Sequence, residues 1–162
     1  MSHDNVGEGW ALEQAAALLR SGGVANFSIN AGGDVITRGR PTPGARWRVG
    51  IQHPTESHAF AAIIAGTDLA VATSGRYERG DHIINPRTGS PATDLSAVTV
   101  VGRDLAIADG YATAALVLGH DGMNWLASQP DIEAMAINND GTVTLTKGFD
   151  QLRSAAQAST SN

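Results

Sequence analysis

The sequence predicts an α+β fold, a mostly antiparallel sheet covered by helices, and three observations carry that expectation. Apolar residues recur at helical spacing over residues 10–20 and again over 105–118. The intervening apolar runs are of strand length, rich in β-branched residues, and separated by short turns of Gly, Pro, Asn and Asp. The turn Asn138-Asn139-Asp140-Gly141 joins residues 132–138 to 143–146 in the clearest hairpin pattern of the chain. Strands joined by such tight turns pair antiparallel, and helices near the two ends of the pattern cover the sheet they form.

Each element has its own local reason. Trp10, Leu12, Ala15, Ala16, Leu18 and Leu19 form the apolar stripe of the first helix, and Ser21-Gly22-Gly23 stops it. Residues 24–30 alternate and carry Phe27 and Ile29, so they read as a strand. Ala31-Gly32-Gly33-Asp34 then turns the chain into a second short strand at 35–37. Pro41-Thr42-Pro43-Gly44 is a loop, and residues 47–51 alternate as a half-buried strand that ends at His53-Pro54. Residues 60–66 and 69–72 are further apolar strands, and Ala97-Val98-Thr99-Val100-Val101 is almost wholly β-branched. Helices follow at 105–118 and 122–128. The small, polar tail from Ser154 onward is expected to fray, so the division is one domain over 1–150 and a tail over 151–162.

Composition narrows the function classes. A chain of 162 residues with 42% hydrophobic content is long enough for one domain with a real core. Its net charge of -5 and lack of a Lys/Arg run argue against nucleic acid or an anionic membrane as partner. The absence of cysteine excludes disulfides, thiolate metal sites and thiol catalysis on this chain. Residues 1–9 lack the basic and apolar regions of a signal peptide, and no apolar run approaches the ~20 residues that span a bilayer. The compartment is left open by these features, with the cytoplasm as the default.

Four polar interruptions of the hydrophobic pattern carry the candidate chemistry. Asp109 and Thr113 are four residues apart in a helix, so a carboxylate and a hydroxyl share one face and could touch one hard cation. A surface Asp beside a back-bonding Thr has the same spacing. A carboxylate on one helix face is not expected in the core, and replacing Asp109 by Ala should leave the fold intact. Asn30-Ala31-Gly32-Gly33-Asp34 offers bare N–H groups to an anion, or simply a hairpin turn. Thr73-Ser74-Gly75 reads as a turn after a strand, where hydroxyls and amides could meet phosphate. His82 precedes the turn Asn85-Pro86-Arg87-Thr88-Gly89, where a lone imidazole is either structural or catalytic. No Gly-x-Ser-x-Gly elbow accompanies Ser74, which argues against serine hydrolysis.

In order, Asn30-Ala31-Gly32-Gly33-Asp34, Ala72-Thr73-Ser74-Gly75-Arg76-Tyr77-Glu78-Arg79, His82-Ile83-Ile84-Asn85-Pro86-Arg87-Thr88-Gly89 and Ala108-Asp109-Gly110-Tyr111-Ala112-Thr113-Ala114 resemble the ApbE family, the FAD:protein FMN transferases. The resemblance runs from about Val6 to Gly148 and implies a T-fold-like architecture. Family members bind FAD with Mg²⁺, cleave its pyrophosphate and move FMN onto a Thr or Ser hydroxyl of a target flavoprotein, while some hydrolyse FAD to FMN and AMP. By that resemblance Asp109, Thr113 and the Ala112 carbonyl would hold the metal. Gly32, Gly33, Asp34, Thr73, Ser74, Gly75, His82 and Thr88 would contact the flavin nucleotide, and His82 would act at the scissile phosphate.

The resemblance corresponds to the C-terminal half of relatives about twice this long. It implies activity after pairing with a second chain that supplies the N-terminal half or through homo-oligomerisation, or else a fragment of a longer enzyme. Glu8 stands where the family usually has Lys before a Gly and an aromatic residue, and Asn85 where it usually has Asp. Three functions remain in view: an Mg²⁺-dependent flavin transferase, an FAD pyrophosphatase, and a non-catalytic nucleotide-binding or interaction module. Gain of one FMN mass by a target protein distinguishes the first from the others.

Overall fold

The computed structural model describes residues 4–56, 58–75, 89 and 92–154. In chain order the elements are α1 (Asp4–Ser21), β1 (Phe27–Ala31), β2 (Asp34–Arg38), β3 (Trp47–Gln52), β4 (Phe60–Gly66), β5 (Ala70–Gly75), β6 (Leu95–Gly102), α2 (Leu105–Leu118), α3 (His120–Ala127), β7 (Glu133–Asn138), β8 (Val143–Leu145) and a 3-10 turn, Phe149–Leu152. Among the described residues six strands form one sheet in the order β1-β2-β5-β6-β7-β8, and β3 and β4 form a separate hairpin. Every pairing is antiparallel. No helix among the described residues is long and apolar enough to cross a membrane.

Strand periodicity sorts the side chains into two cores. Ile36, Ala70, Ala72, Val98, Val100, Ala134 and Ala136 point to one face, where they pack with Leu12 and Ala16 of α1, Leu105, Ala112 and Leu116 of α2, and Leu126 of α3. Val35, Val71, Val101, Met135 and Ile137 point to the other, against Val49 and Ile51 of β3, Ala62 and Ile64 of β4, and Phe149. These strands are apolar on both faces because both faces are covered. Helices cover one side as expected; the β3–β4 hairpin and the 3-10 turn cover the other. A register shift between Leu95 and Ala97 reverses the alternation, so Leu95 joins the helix-side core with Val98 and Val100.

Several boundaries differ from the sequence expectation for local reasons. Residues 24–26 are not strand, because the helix cap consumes them. Gly23 has φ of 85°, its N–H bonds to the Arg20 carbonyl at 3.0 Å, and the Val24 N–H reaches the Leu19 carbonyl at 2.9 Å. This Schellman closure satisfies carbonyls that the end of α1 would leave bare. α1 itself begins at Asp4 rather than at residue 10. Thr73-Ser74-Gly75 is not a turn after β5 but its last three residues, paired with Thr99, Val98 and Ala97. Residues 151–154 are packed: Leu152 lies against the hairpin-side core, Arg153 bridges to Ile64, and the Ser154 N–H, at the start of the stretch expected to fray, donates to the Ile63 carbonyl at 2.9 Å. Residues 155–162 lie outside the described residues.

Two outcomes follow from this packing. Phe149 is fully buried on the hairpin side, so Phe149→Ala should lower the unfolding free energy by about 3–5 kcal/mol, read as an earlier urea midpoint. In the β7–β8 turn Asp140 accepts the Thr142 hydroxyl at 2.7 Å and the Thr142 N–H at 2.9 Å, which holds its carboxyl below the ordinary 3.8. The turn's contribution is present above the unfolded-state pKa and lost as pH falls through the lowered one. Carboxyl NMR titration should show the Asp140 pKa rising in Thr142→Val.

Candidate functional site

One end of the sheet gathers the β1–β2 turn and the last residues of β5. Gly32 and Gly33 have φ of 59° and 98° between the paired residues Ala31 and Asp34, the two-residue geometry that only glycine adopts without strain. The turn is exposed, and its amides meet solvent unscreened by side chains. Asp34 is buried, and its Oδ1 accepts the Thr73 N–H at 3.3 Å. Its carboxylate thus fastens the end of β5 to the start of β2.

Thr73 and Ser74 diverge, because successive strand residues face opposite sides of a sheet. On the hairpin side the Thr73 hydroxyl meets that of Thr99 at 2.9 Å. Thr73, Asn30, Gly32, Gly33, Gln52 and Phe60 there surround a cavity of about 290 Å³. Phe60 is 60% exposed and its ring lies over Gly50, where any Cβ would come within 2.6 Å of ring carbons. The helix side receives Ser74, buried, with its Oγ 2.9 Å from Thr113 Oγ1 on α2.

Asp109 lies one turn before Thr113 on α2 and is only 6% exposed. This corrects the expectation of a surface carboxylate: α1 crosses directly over it. A Cβ on Gly9 would stand 3.0 Å from the Leu105 carbonyl oxygen and 3.2 Å from Asp109 Oδ2. Gly9 is therefore a point of close approach of the two helices, a role the sequence reading missed. Gly9 stands just before the apolar helical run, two residues after Gly7, so the pattern gave it no distinct signal.

Glu13, on the same helix, was also missed. Its Oε1 accepts the Leu105 N–H at 2.7 Å and its carboxylate pairs with the buried Arg38 at 3.3 Å. Asp104 caps the same helix start through the Ile107 N–H at 3.0 Å. The beginning of α2 is thus held from both sides.

The site residues foreseen from sequence fall into three groups. Ser74 and Thr113 meet on the helix side, Asp109 lies one turn before Thr113 on the same helix, and Ala112 is fully buried between the latter two in sequence. Gly32, Gly33 and Thr73 line the hairpin-side cavity, while Asp34 and Gly75 sit within the paired strands. His82, Asn85 and Thr88 lie outside the described residues, as does the side chain of Glu8. Gly89 is described and has φ of 69°.

The helix-side donors are all hard oxygens: a buried carboxylate, a hydroxyl and a helical carbonyl, whose second lone pair survives its backbone hydrogen bond. That set fits Mg²⁺ rather than a soft metal. A cation-bound hydroxyl turns its proton away from the ion, and Ser74 Oγ stands within 2.9 Å of Thr113 Oγ1 to accept it.

The model of the ApbE family matches residues 3–136. The chain is 33% identical over 146 residues to an FAD:protein FMN transferase of Klebsiella pneumoniae, covering 84% of this chain and 42% of that one. It is 37% identical over 124 residues to an FAD:protein FMN transferase of Salmonella typhimurium, covering 70% and 35%. Among solved structures, the ApbE protein of Thermotoga maritima matches with a TM-score of 0.85 at 28% identity, covering 93% of this chain and 52% of that one. The flavin transferase ApbE of Vibrio cholerae matches with a TM-score of 0.80 at 30% identity, covering 91% and 51%. The chain spans less than half the length of these curated relatives and about half that of the solved chains.

The helix crossing yields a direct test. Gly9→Val places branched carbons against the α2 backbone, and overpacking of this kind costs ~1–3 kcal/mol. Thermal denaturation should show the loss, and the Asp109 carboxyl resonance should shift with it.

Proposed function

This chain belongs to the ApbE family, and from that premise we propose that it transfers FMN from FAD to a Thr or Ser hydroxyl of an acceptor flavoprotein, with Mg²⁺ as cofactor. The observation that carries the reading is the contact of Ser74 on β5 with Thr113 on α2 near the sheet end that bears the Gly32-Gly33 turn, with Asp109 one helical turn before Thr113, all of them oxygen donors. Asp109, Thr113 and the Ala112 carbonyl would hold Mg²⁺, which would supply neutralisation of the charge developing on the pyrophosphate.

The chain's own residues have separable roles in this proposal. Asp109 contributes the negative charge that selects a cation, and its burial under α1 keeps that charge in a medium of low dielectric, where it acts strongly. Ser74 orients the Thr113 hydroxyl so that its oxygen lone pairs face outward. The Gly32 and Gly33 amides offer donors to a phosphate oxygen without a side chain in the way. Thr73, on the opposite face, borders the cavity against Phe60, where a planar ring of the nucleotide has an aromatic surface to stack on.

His82 accepts the proton of the acceptor hydroxyl, a general-base role that the imidazole side chain is chemically suited to. That oxygen bonds to the flavin-side phosphorus while the bond from phosphorus to the AMP oxygen breaks, and AMP departs. The solved relatives are about twice as long as this chain, and the remainder of the pocket belongs to the part of them that it does not span.

Incubation with FAD, Mg²⁺ and an acceptor protein, followed by mass measurement of the acceptor, tests the reading. The expected result is a gain of one FMN, abolished by a chelator. Asp109→Asn should reduce the rate by about 10²–10³-fold, the usual cost of removing one preorganised electrostatic group. Release of FMN and AMP with no gain on the acceptor would replace transfer by hydrolysis.

A further inference from the structure

At the opposite end of the sheet from Gly32 and Gly75, three arginines line one cavity of about 450 Å³. Arg20 comes from the last turn of α1, Arg38 ends β2, and Arg103 follows β6; Gly39 and Asp68 complete the wall. The chain carries a net charge of -5 and only 11 cationic side chains, so three around one space are a marked local concentration.

Arg38 has a structural task. Its Nη1 donates to the Thr37 carbonyl at 3.0 Å, and its Nη2 donates to Glu13 at 3.3 Å and to the Arg103 carbonyl at 3.2 Å, so its charge is matched and its plane is fixed. No such bond engages the guanidinium of Arg20 or Arg103, and neither forms an ion pair among the described residues. Both are exposed, and both face a space that also holds the Asp68 carboxylate, whose Oδ1 accepts the Gly39 N–H at 2.9 Å.

We propose that this cavity binds a small phosphate monoester, at a site separate from the flavin site. Two unmatched guanidinium groups offer the forked donors that recognise phosphate oxygens, with a rigid third arginine behind them. The volume lies within the range of small-molecule pockets and exceeds what a bare phosphate fills. Asp68 adds a hydrogen-bond acceptor for a ligand hydroxyl, and its negative charge disfavours a second phosphate group. A sugar phosphate satisfies all three conditions.

Titration calorimetry of the chain at low salt tests the proposal with ribose 5-phosphate, inorganic phosphate and ribose as probes. Ribose 5-phosphate should bind, inorganic phosphate more weakly and ribose not at all, with affinity falling as salt rises. The double variant Arg20→Gln/Arg103→Gln replaces two exposed side chains and should keep the parental melting temperature while weakening ribose 5-phosphate at least tenfold. Asp109→Asn, which alters a residue outside the lining of this cavity, should bind it as the parent does. Absence of binding by the parent at millimolar ribose 5-phosphate would overturn the proposal. So would equal affinity in the double variant, or binding lost in Asp109→Asn alone, which would put the ligand in the flavin site.

Discussion

Burial of the central strands on both faces is the constraint on which the rest of this structure depends. Because strand side chains alternate, a residue's position in β5 decides which of two cores it enters. Ala70 and Ala72 go to the helices, and Ser74 follows them. Val71 goes to the β3–β4 hairpin, and Thr73 follows it. The adjacent hydroxyls of a single Thr-Ser pair therefore reach two different environments, one beside Thr113 and one beside Thr99. Slippage of β5 by one residue would exchange them and bury polar groups among aliphatic ones on both sides.

The helix layer depends in turn on how closely α1 approaches α2. Gly9 sets that separation, and Glu13 fixes the register by accepting the first amide of α2 while pairing with Arg38 from the sheet. One carboxylate thereby ties together two helices and a strand. Such a part-buried ion pair is retained for geometry more than for net stability, since desolvation offsets most of its Coulomb attraction. Its consequence is positional: α1 closes over Asp109 and turns a helix-face carboxylate into a buried one. Arg38 serves a second time as the rigid back of the arginine-lined cavity at the far end of the sheet. The two ends of β2 thus border different kinds of site, glycine amides at one and guanidinium groups at the other.

Much of the architecture was legible in the chain. Helical spacing located α1, α2 and α3, and the Gly32-Gly33 and Asn138-to-Gly141 turns identified two hairpins before any pairing was known. The errors cluster where one local motif consumes residues that another seems to claim. Val24 looks like the start of a strand but serves the Schellman cap of α1. Thr73, Ser74 and Gly75 look like a turn because they are small and polar, yet they extend β5, since hydroxyls from Thr99 and Thr113 satisfy them inside the sheet and against it. Residues 151–154 look like a tail but close over the hairpin side through Leu152 and Ser154.

By itself the sequence determined the element types, the antiparallel character of the sheet and the one-turn spacing of Asp109 and Thr113. These rest on periodicity and turn chemistry, which act over a few residues. Only the tertiary structure decided that Asp109 is buried, that Ser74 rather than Thr73 meets Thr113, and that Arg20, Arg38 and Arg103 face one space. Each of those facts depends on contacts between segments distant in sequence, governed by sheet register and by helix separation, and neither quantity is encoded within a single segment.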